Sequence, residues 1–201
     1  AFASHHRAMS VATTKEVYTS PVIKSPFPDL VYIPEVSLTH FVFQNVNQFA
    51  DKPAYIDGNT GQVYTFRDLF GNVKKFAYGL HLRGFKKGDV LALYTPNCIQ
   101  FPVIFHGVSY LGGIVTTVNP LYTADELSHQ LQDSSATIIV TATAFLDKAV
   151  AAASKNAHIK EIITIDNYTG PHPPHVVIST FSSIVSAPPA VLSDRTSFKK
   201  Y

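Results

Sequence analysis

Between Tyr64 and Asp166 the chain alternates short apolar runs with amphipathic stretches, and almost nothing separates them. This alternation restricts the possible folds more than any other feature. Val90–Tyr94 is a continuous apolar run, the pattern of a strand buried on both faces. Ile114–Val118 reads as a second buried strand, and Thr137–Thr141 and Glu161–Ile165 as two more. The segments between them have helical spacing: Cys98–Leu111, Thr123 to about Gln132, and Ala144–Asn156. Strands separated by helices imply right-handed crossovers and a parallel sheet. The expected class is α/β, a mostly parallel sheet with helices on both faces.

Local chemistry sharpens the boundaries. Phe66, Leu69, Phe70, Val73, Phe76, Ala77 and Leu80 form one apolar stripe, with Thr65 as N-cap and Gly84 as a left-handed terminator. Thr123 and Glu126 have the spacing of a capping box. Ala54–Asp57 and Gln62–Phe66 read as short strands turned by Gly58-Asn59-Thr60-Gly61. Ser37 can cap a helix that carries Leu38, Phe41, Val42, Val46 and Phe49. Past Asp166 the pattern thins to a Pro-rich loop, a short strand at Val176–Ile178 and a short helix at Phe181–Val185. The expected organisation is an extended N-terminal arm (1–35), an α/β body (36–186) and an irregular tail (187–201).

Val90 to Ala124 is 35 residues without Asp, Glu, Lys or Arg. A membrane-spanning helix needs about 20 unbroken apolar residues. Pro96, Pro102, Gly112-Gly113, Asn119 and Pro120 interrupt this run, so it reads as buried strand–helix–strand rather than a transmembrane segment. Charged residues are only 15% of the chain, which predicts a low-charge face covered by further chain or by a partner. Net charge is +2, without a basic stripe, which argues against nucleic-acid binding. Cys98 is the lone cysteine, which fits a reducing, intracellular setting and does not separate peroxisomal, cytoplasmic and mitochondrial addresses. Lys199-Lys200-Tyr201 is no peroxisomal tripeptide.

Four segments, in this order and spacing, carry a resemblance. They are Tyr64-Thr65-Phe66-Arg67-Asp68-Leu69, Gly84-Phe85-Lys86-Lys87-Gly88-Asp89-Val90, Tyr94-Thr95-Pro96-Asn97, and Val118-Asn119-Pro120-Leu121-Tyr122-Thr123-Ala124-Asp125-Glu126-Leu127. Together they resemble the N-terminal part of the AMP-forming acyl-CoA ligases, in the branch of 4-coumarate–CoA ligase and firefly luciferase. Pro28-Asp29-Leu30 and Ile33-Pro34 resemble the lead-in arm of that branch. The resemblance implies adenylation of a carboxylic acid by ATP with Mg²⁺, then transfer to the thiol of coenzyme A. It also implies a Ser/Thr/Gly-rich phosphate loop ending in Pro-Lys-Gly. The one Lys-Gly pair here, Lys87-Gly88, sits in a turn before a strand. The expectation is therefore an incomplete, N-terminal subdomain, inactive alone. No catalytic, cofactor-binding or metal-ligating residue can be assigned to it, and ATP, Mg²⁺, coenzyme A and the acid substrate belong to the full-length parent. A ligase and a luciferase-type oxygenase both remain open for that parent.

Other tempting residues have plainer readings. Cys98 opens a helix, but no base faces it in the sequence, and a small buried residue is expected. His5-His6, His172 and His175 lack metal-ligand neighbours. His106 reads as an interior or interface residue rather than a base. Thr116, Thr117 and Asn119 sit at the carboxyl end of a strand, where α/β sheets place ligands, or else simply serve the loop. Asp125-Glu126 is a carboxylate pair on paper, with Glu126 committed to the capping box. No G-x-G-x-x-G follows the first core strand, which argues against a dinucleotide domain. The competing class is a non-catalytic α/β interaction module derived from the same family.

Overall fold

The computed structural model describes residues 26–27, 34–171 and 173–186. The arm before residue 34, its lead-in Pro28-Asp29-Leu30 and Ile33, His5-His6, His172 and the 187–201 tail lie outside the described residues, apart from 26–27. The chain divides into 1–35 and 36–201, and the fold is that of the second unit.

A short helix, α1 (Leu38–Phe43), starts on the Ser37 side chain, which accepts from His40 N. Strands β1 (Pro53–Ile56) and β2 (Val63–Thr65) form an antiparallel hairpin. Its turn closes on Asp57, whose carboxylate accepts from Asn59 N at 3.0 Å and Thr60 N at 2.8 Å. Helix α2 (Phe66–Leu82) begins on a full capping box: Thr65 accepts from Asp68 N, and the Asp68 carboxylate accepts from Thr65 N. Gly84, at φ +80°, ends it in a conformation that other residues adopt at a cost.

The main sheet follows. It holds β3 (Val90–Tyr94), β4 (Ile114–Thr117), β5 (Ile138–Thr141), β6 (Glu161–Thr164) and β7 (Val177–Thr180). Their order is β4-β3-β5-β6-β7, and every pairing is parallel. The crossovers contain α3 (Phe101–Tyr110), α4 (Ala124–Ser134) and α5 (Leu146–Ser154). A last helix, α6 (Phe181–Val185), follows β7 directly.

The period-two alternation of strands sorts side chains onto two cores. Leu91, Leu93, Ile138, Val140 and Ile163 face α2, α3 and α6. Ala92, Tyr94, Ile139, Ile162 and Ile178 face α4 and α5. Leu91, Leu93, Ile139, Ile162 and Ile163 are fully buried, and each contributes about 1.5–3 kcal/mol. Helix α6 docks closely: Phe181 stacks on Phe76 at 5.5 Å, and a Cβ at Gly79 would lie 2.4 Å from Ile184 O. Only a glycine allows that approach.

The α/β expectation holds, with helices on both faces. Several boundaries differ from it. Ile114–Val118 is not a strand buried on both faces: β4 is a sheet edge, paired with β3 alone, and Ile114 is 53% exposed. The helix expected from Cys98 starts at Phe101, with Pro102 in its first turn, where a missing N–H costs nothing. Ala144–Asn156 splits into a 3₁₀ turn at Thr143–Phe145 and α5. The short strand near Val176 is β7, a full parallel member of the sheet.

One polar contact was not anticipated. Glu161 is buried at the start of β6 on the α2 side. Arg83 Nε donates to its Oε1 at 3.1 Å, and Arg83 Nη1 donates to Gly79 O at 3.0 Å. Ser179 Oγ donates to the same carboxylate. The cluster ties the end of α2 to the amino end of β6 and to Ser179 of β7. Arg83→Ala is expected to lower unfolding stability by about 1–3 kcal/mol in urea titration. That is below the cost at a fully buried pair, because Arg83 is partly wet. Glu161→Gln in the Arg83→Ala background should recover part of the loss. An unchanged midpoint for Arg83→Ala would refute the clamp.

Candidate functional site

Parallel sheets bind ligands outside the carboxyl ends of their strands, where successive crossovers leave for opposite faces. Here β3 leads into α3 on one face, and β5 leads into α5 on the other. The switch point lies between Tyr94-Thr95-Pro96-Asn97 and Thr141-Ala142-Thr143.

The register places Tyr94, Thr141, Thr164 and Thr180 side by side across that end. This hydroxyl row was invisible in the sequence, because it depends on which strands pair. Its first three members hold the loops. Tyr94 Oη donates to Tyr122 O at 3.1 Å and to Pro120 O at 3.4 Å. Thr141 Oγ1 donates to Ala142 O, and Thr164 Oγ1 to Asp166 O. The Asp166 carboxylate accepts from Thr143 N and Thr143 Oγ1, which joins the β5 and β6 loops. Burial pushes the Tyr94 phenol above its usual range, so it stays a neutral donor.

The expected ligand candidates are already engaged. Gln130 Nε2 donates to Thr116 Oγ1 at 2.8 Å and to Thr117 O at 3.1 Å. Asn119 Oδ1 accepts from Leu121 N at 3.0 Å, an Asx turn. Glu126 accepts from Thr123 N and Oγ1 at 2.8 Å each, as a capping box requires, and Lys155 pairs with Asp125. These residues therefore build the entry to α4, and the acid pair is divided between two structural tasks. Thr95 Oγ1, not among those candidates, is buried and lacks a normal hydrogen-bond partner among the described residues.

Beside the switch point lies an open cleft of about 420 Å³. The hairpin turn Asp57-Gly58-Asn59 forms one wall, and Asn97, Cys98, Ile99 and Phe101 form the other. Cys98 is half-buried rather than buried as expected. Burial pushes its thiol up, against weaker pulls from the Phe101 and Gln100 N–H groups and the nearby Thr95 hydroxyl. The helix start therefore does not activate the thiol. His175 lines two other surface grooves, away from this cleft. No group of three metal-ligating side chains occurs among the described residues, and no described helix is long and apolar enough to cross a membrane.

Apart from Thr95 Oγ1, the crest hydroxyls and carboxylates described above serve their own loops, and Lys148 donates to Tyr122 O at 3.1 Å. No nucleotide step is assigned to these residues.

Two measurements follow. At pH 7.5 Cys98 should react with a thiol reagent more slowly in the native chain than in urea, and faster labelling of the native chain would contradict its protonated, half-buried state. Hydrogen bonds from Thr65 and Thr123 hold the Asp68 and Glu126 carboxyls below their ordinary values, as Thr60 does for Asp57. The stability they add is present above the unfolded carboxylate range and lost as pH falls through the lowered values. The urea midpoint should fall more steeply below about pH 4.5 than between about pH 7 and 5, and this acid limb should be shallower in Thr123→Ala. A midpoint that rises on acidification would contradict this.

Comparison with known proteins agrees with the architecture. Residues 42–188 match the family model described as AMP-binding enzyme. The chain is 35% identical over 165 residues to a 4-coumarate–CoA ligase of Pinus taeda, covering 82% of this chain and 30% of that protein. It is 38% identical over 147 residues to 4-coumarate–CoA ligase 2 of Nicotiana tabacum, covering 73% of this chain and 27% of that one. The fold is similar to a benzoate CoA ligase of Burkholderia xenovorans, with TM-score 0.66 and 23% identity over 80% of this chain and 30% of that one. A putative long-chain-fatty-acid CoA ligase of Rhodopseudomonas palustris aligns with TM-score 0.67 at 25% identity, over 77% of this chain and 37% of that one. The chain thus spans about a third or less of the curated relatives just described. On the family match and these relatives, it belongs to the AMP-binding enzyme family.

Proposed function

We propose that this chain is the N-terminal part of an ATP-dependent, AMP-forming carboxylic acid–CoA ligase and is inactive alone. The observation that carries the reading is the pine ligase alignment, which takes in most of this chain but under a third of that enzyme. ATP, Mg²⁺, coenzyme A and the carboxylic acid are handled by the complete parent. These residues contribute scaffold: a rigid sheet end and a pinned loop from Asn119 to Thr123.

The absence of a Lys-Gly outside the Lys87-Gly88 turn supports inactivity of these 201 residues by themselves. Phosphoryl chemistry needs preplaced donors around the transferring oxygens. The engaged polar groups of the crest supply none.

Leu38, Phe41 and Val42 on α1, with Tyr55, Ile56 and Val63 on the hairpin, are exposed apolar side chains. Within the proposal, the part of the parent outside these residues covers them. The same side chains also favour a second reading, a non-catalytic interaction module that docks through them.

ATP–pyrophosphate exchange with a mixture of carboxylic acids tests inactivity. The 201-residue chain should give no exchange above the blank, and robust exchange would overturn it. Reading the transcript past Tyr201 separates the two readings. The ligase reading expects an open frame that enters a Ser/Thr/Gly-rich loop with Pro-Lys-Gly, and a stop codon at that point would favour the module.

A further inference from the structure

Helix α1 meets the body through Thr39, His40 and Phe43, and two of these three touch one imidazole. Thr39, fully buried, donates from Oγ1 to His106 O at 3.2 Å and lies 3.1 Å from His106 Nδ1. Phe43 meets the His106 ring edge-on, with centroids 5.1 Å apart and an interplanar angle of 79°, and stacks on Phe70 of α2 at 4.8 Å. His40 stacks on Tyr110, one helical turn further along α3. On the opposite side of α1, Leu38 and Val42 are exposed among the described residues.

We propose that His106 is a pH-sensitive latch: α1 is docked while the imidazole is neutral and loosens when it takes up a proton. A neutral ring fits a site walled by Phe43 and the Thr39 hydroxyl. The ring is half-buried, so a charged form loses part of its hydration there, and it gains no carboxylate among the described residues. Helix α3 carries no Asp, Glu, Lys or Arg. Among the described residues, the titratable or charged groups nearby are His40 on α1, Tyr110 on α3 and Lys74 on α2, the last 4.8 Å from the Phe70 ring centre. His40 and Lys74 carry positive charge when protonated. Burial lowers the proton affinity of His106 below its ordinary value, in keeping with this geometry. For a histidine lowered in this way, docking strength is complete above the free imidazole range. It falls as pH drops through about 6.5 toward the lowered value.

The test is hydrogen exchange of residues 37–44 in the full 201-residue chain at pH 7.5 and pH 5.5, corrected for intrinsic rates. Protection of α1 should fall about threefold or more at the lower pH, while β3 and β5 keep theirs. In His106→Gln the difference between the two pH values should vanish. Equal protection at both pH values in the native chain would overturn the latch, as would an undiminished drop in His106→Gln. A second readout uses the native chain alone: the His106 ring proton, followed by NMR, should titrate below free imidazole and together with the α1 amides. Titration at or above the free value would also overturn it.

Discussion

Burial of β3, β5 and β6 on both faces is the constraint from which the rest of this molecule follows. A strand in that position is apolar along most of its length, and it needs helices above and below. Leu91 and Leu93 require α2 and α3 on one side, while Ala92 and Tyr94 require α4 and α5 on the other. Once the crossovers alternate in that way, the loops at the carboxyl ends part between β3 and β5. The switch point is thus a consequence of packing. Its polar row, from Tyr94 to Thr180, is where the apolar core gives way to loops that need anchoring.

The same residues explain how the loops at the sheet end are held. Buried polar groups generally find partners, and here all but Thr95 Oγ1 among those described find them in the adjoining loops. Tyr94 and Lys148 both hold Tyr122 O, Asn119 closes its own turn, and Asp166 joins two loops. A site for nucleotide chemistry leaves donors pointing outward for the ligand. This crest spends them inward, and the proposal that these residues are scaffold for a larger ligase rests on that contrast.

Much of the fold was legible because its signals are local. The stripe from Phe66 to Leu80, the two capping threonines and the terminating Gly84 each act within a few residues, and the structure places them as their chemistry requires. What was not legible depends on strand order. Val90–Tyr94 and Ile114–Val118 look alike in sequence, yet one is central and the other an edge, and no local pattern reports which. Glu161 looked like an ordinary strand start. Its burial follows from lying beside Ser179 under the end of α2, a neighbourhood made by residues far apart in the chain. The sequence around Cys98 has the pattern of a helix start with a small buried residue, but the helix starts later, and the thiol is left on a cleft wall. The candidate site was legible only through the resemblance, which pointed to scaffold rather than to chemistry.

Native-state hydrogen exchange across the sheet tests the central claim most directly. The account predicts that amides of β3, β5 and β6 are the slowest in the protein and exchange together, through global unfolding, while those of β4 and β7 at the borders exchange sooner. Equal protection across all five strands, or early exchange of the inner three, would contradict a structure organised by their two-sided burial.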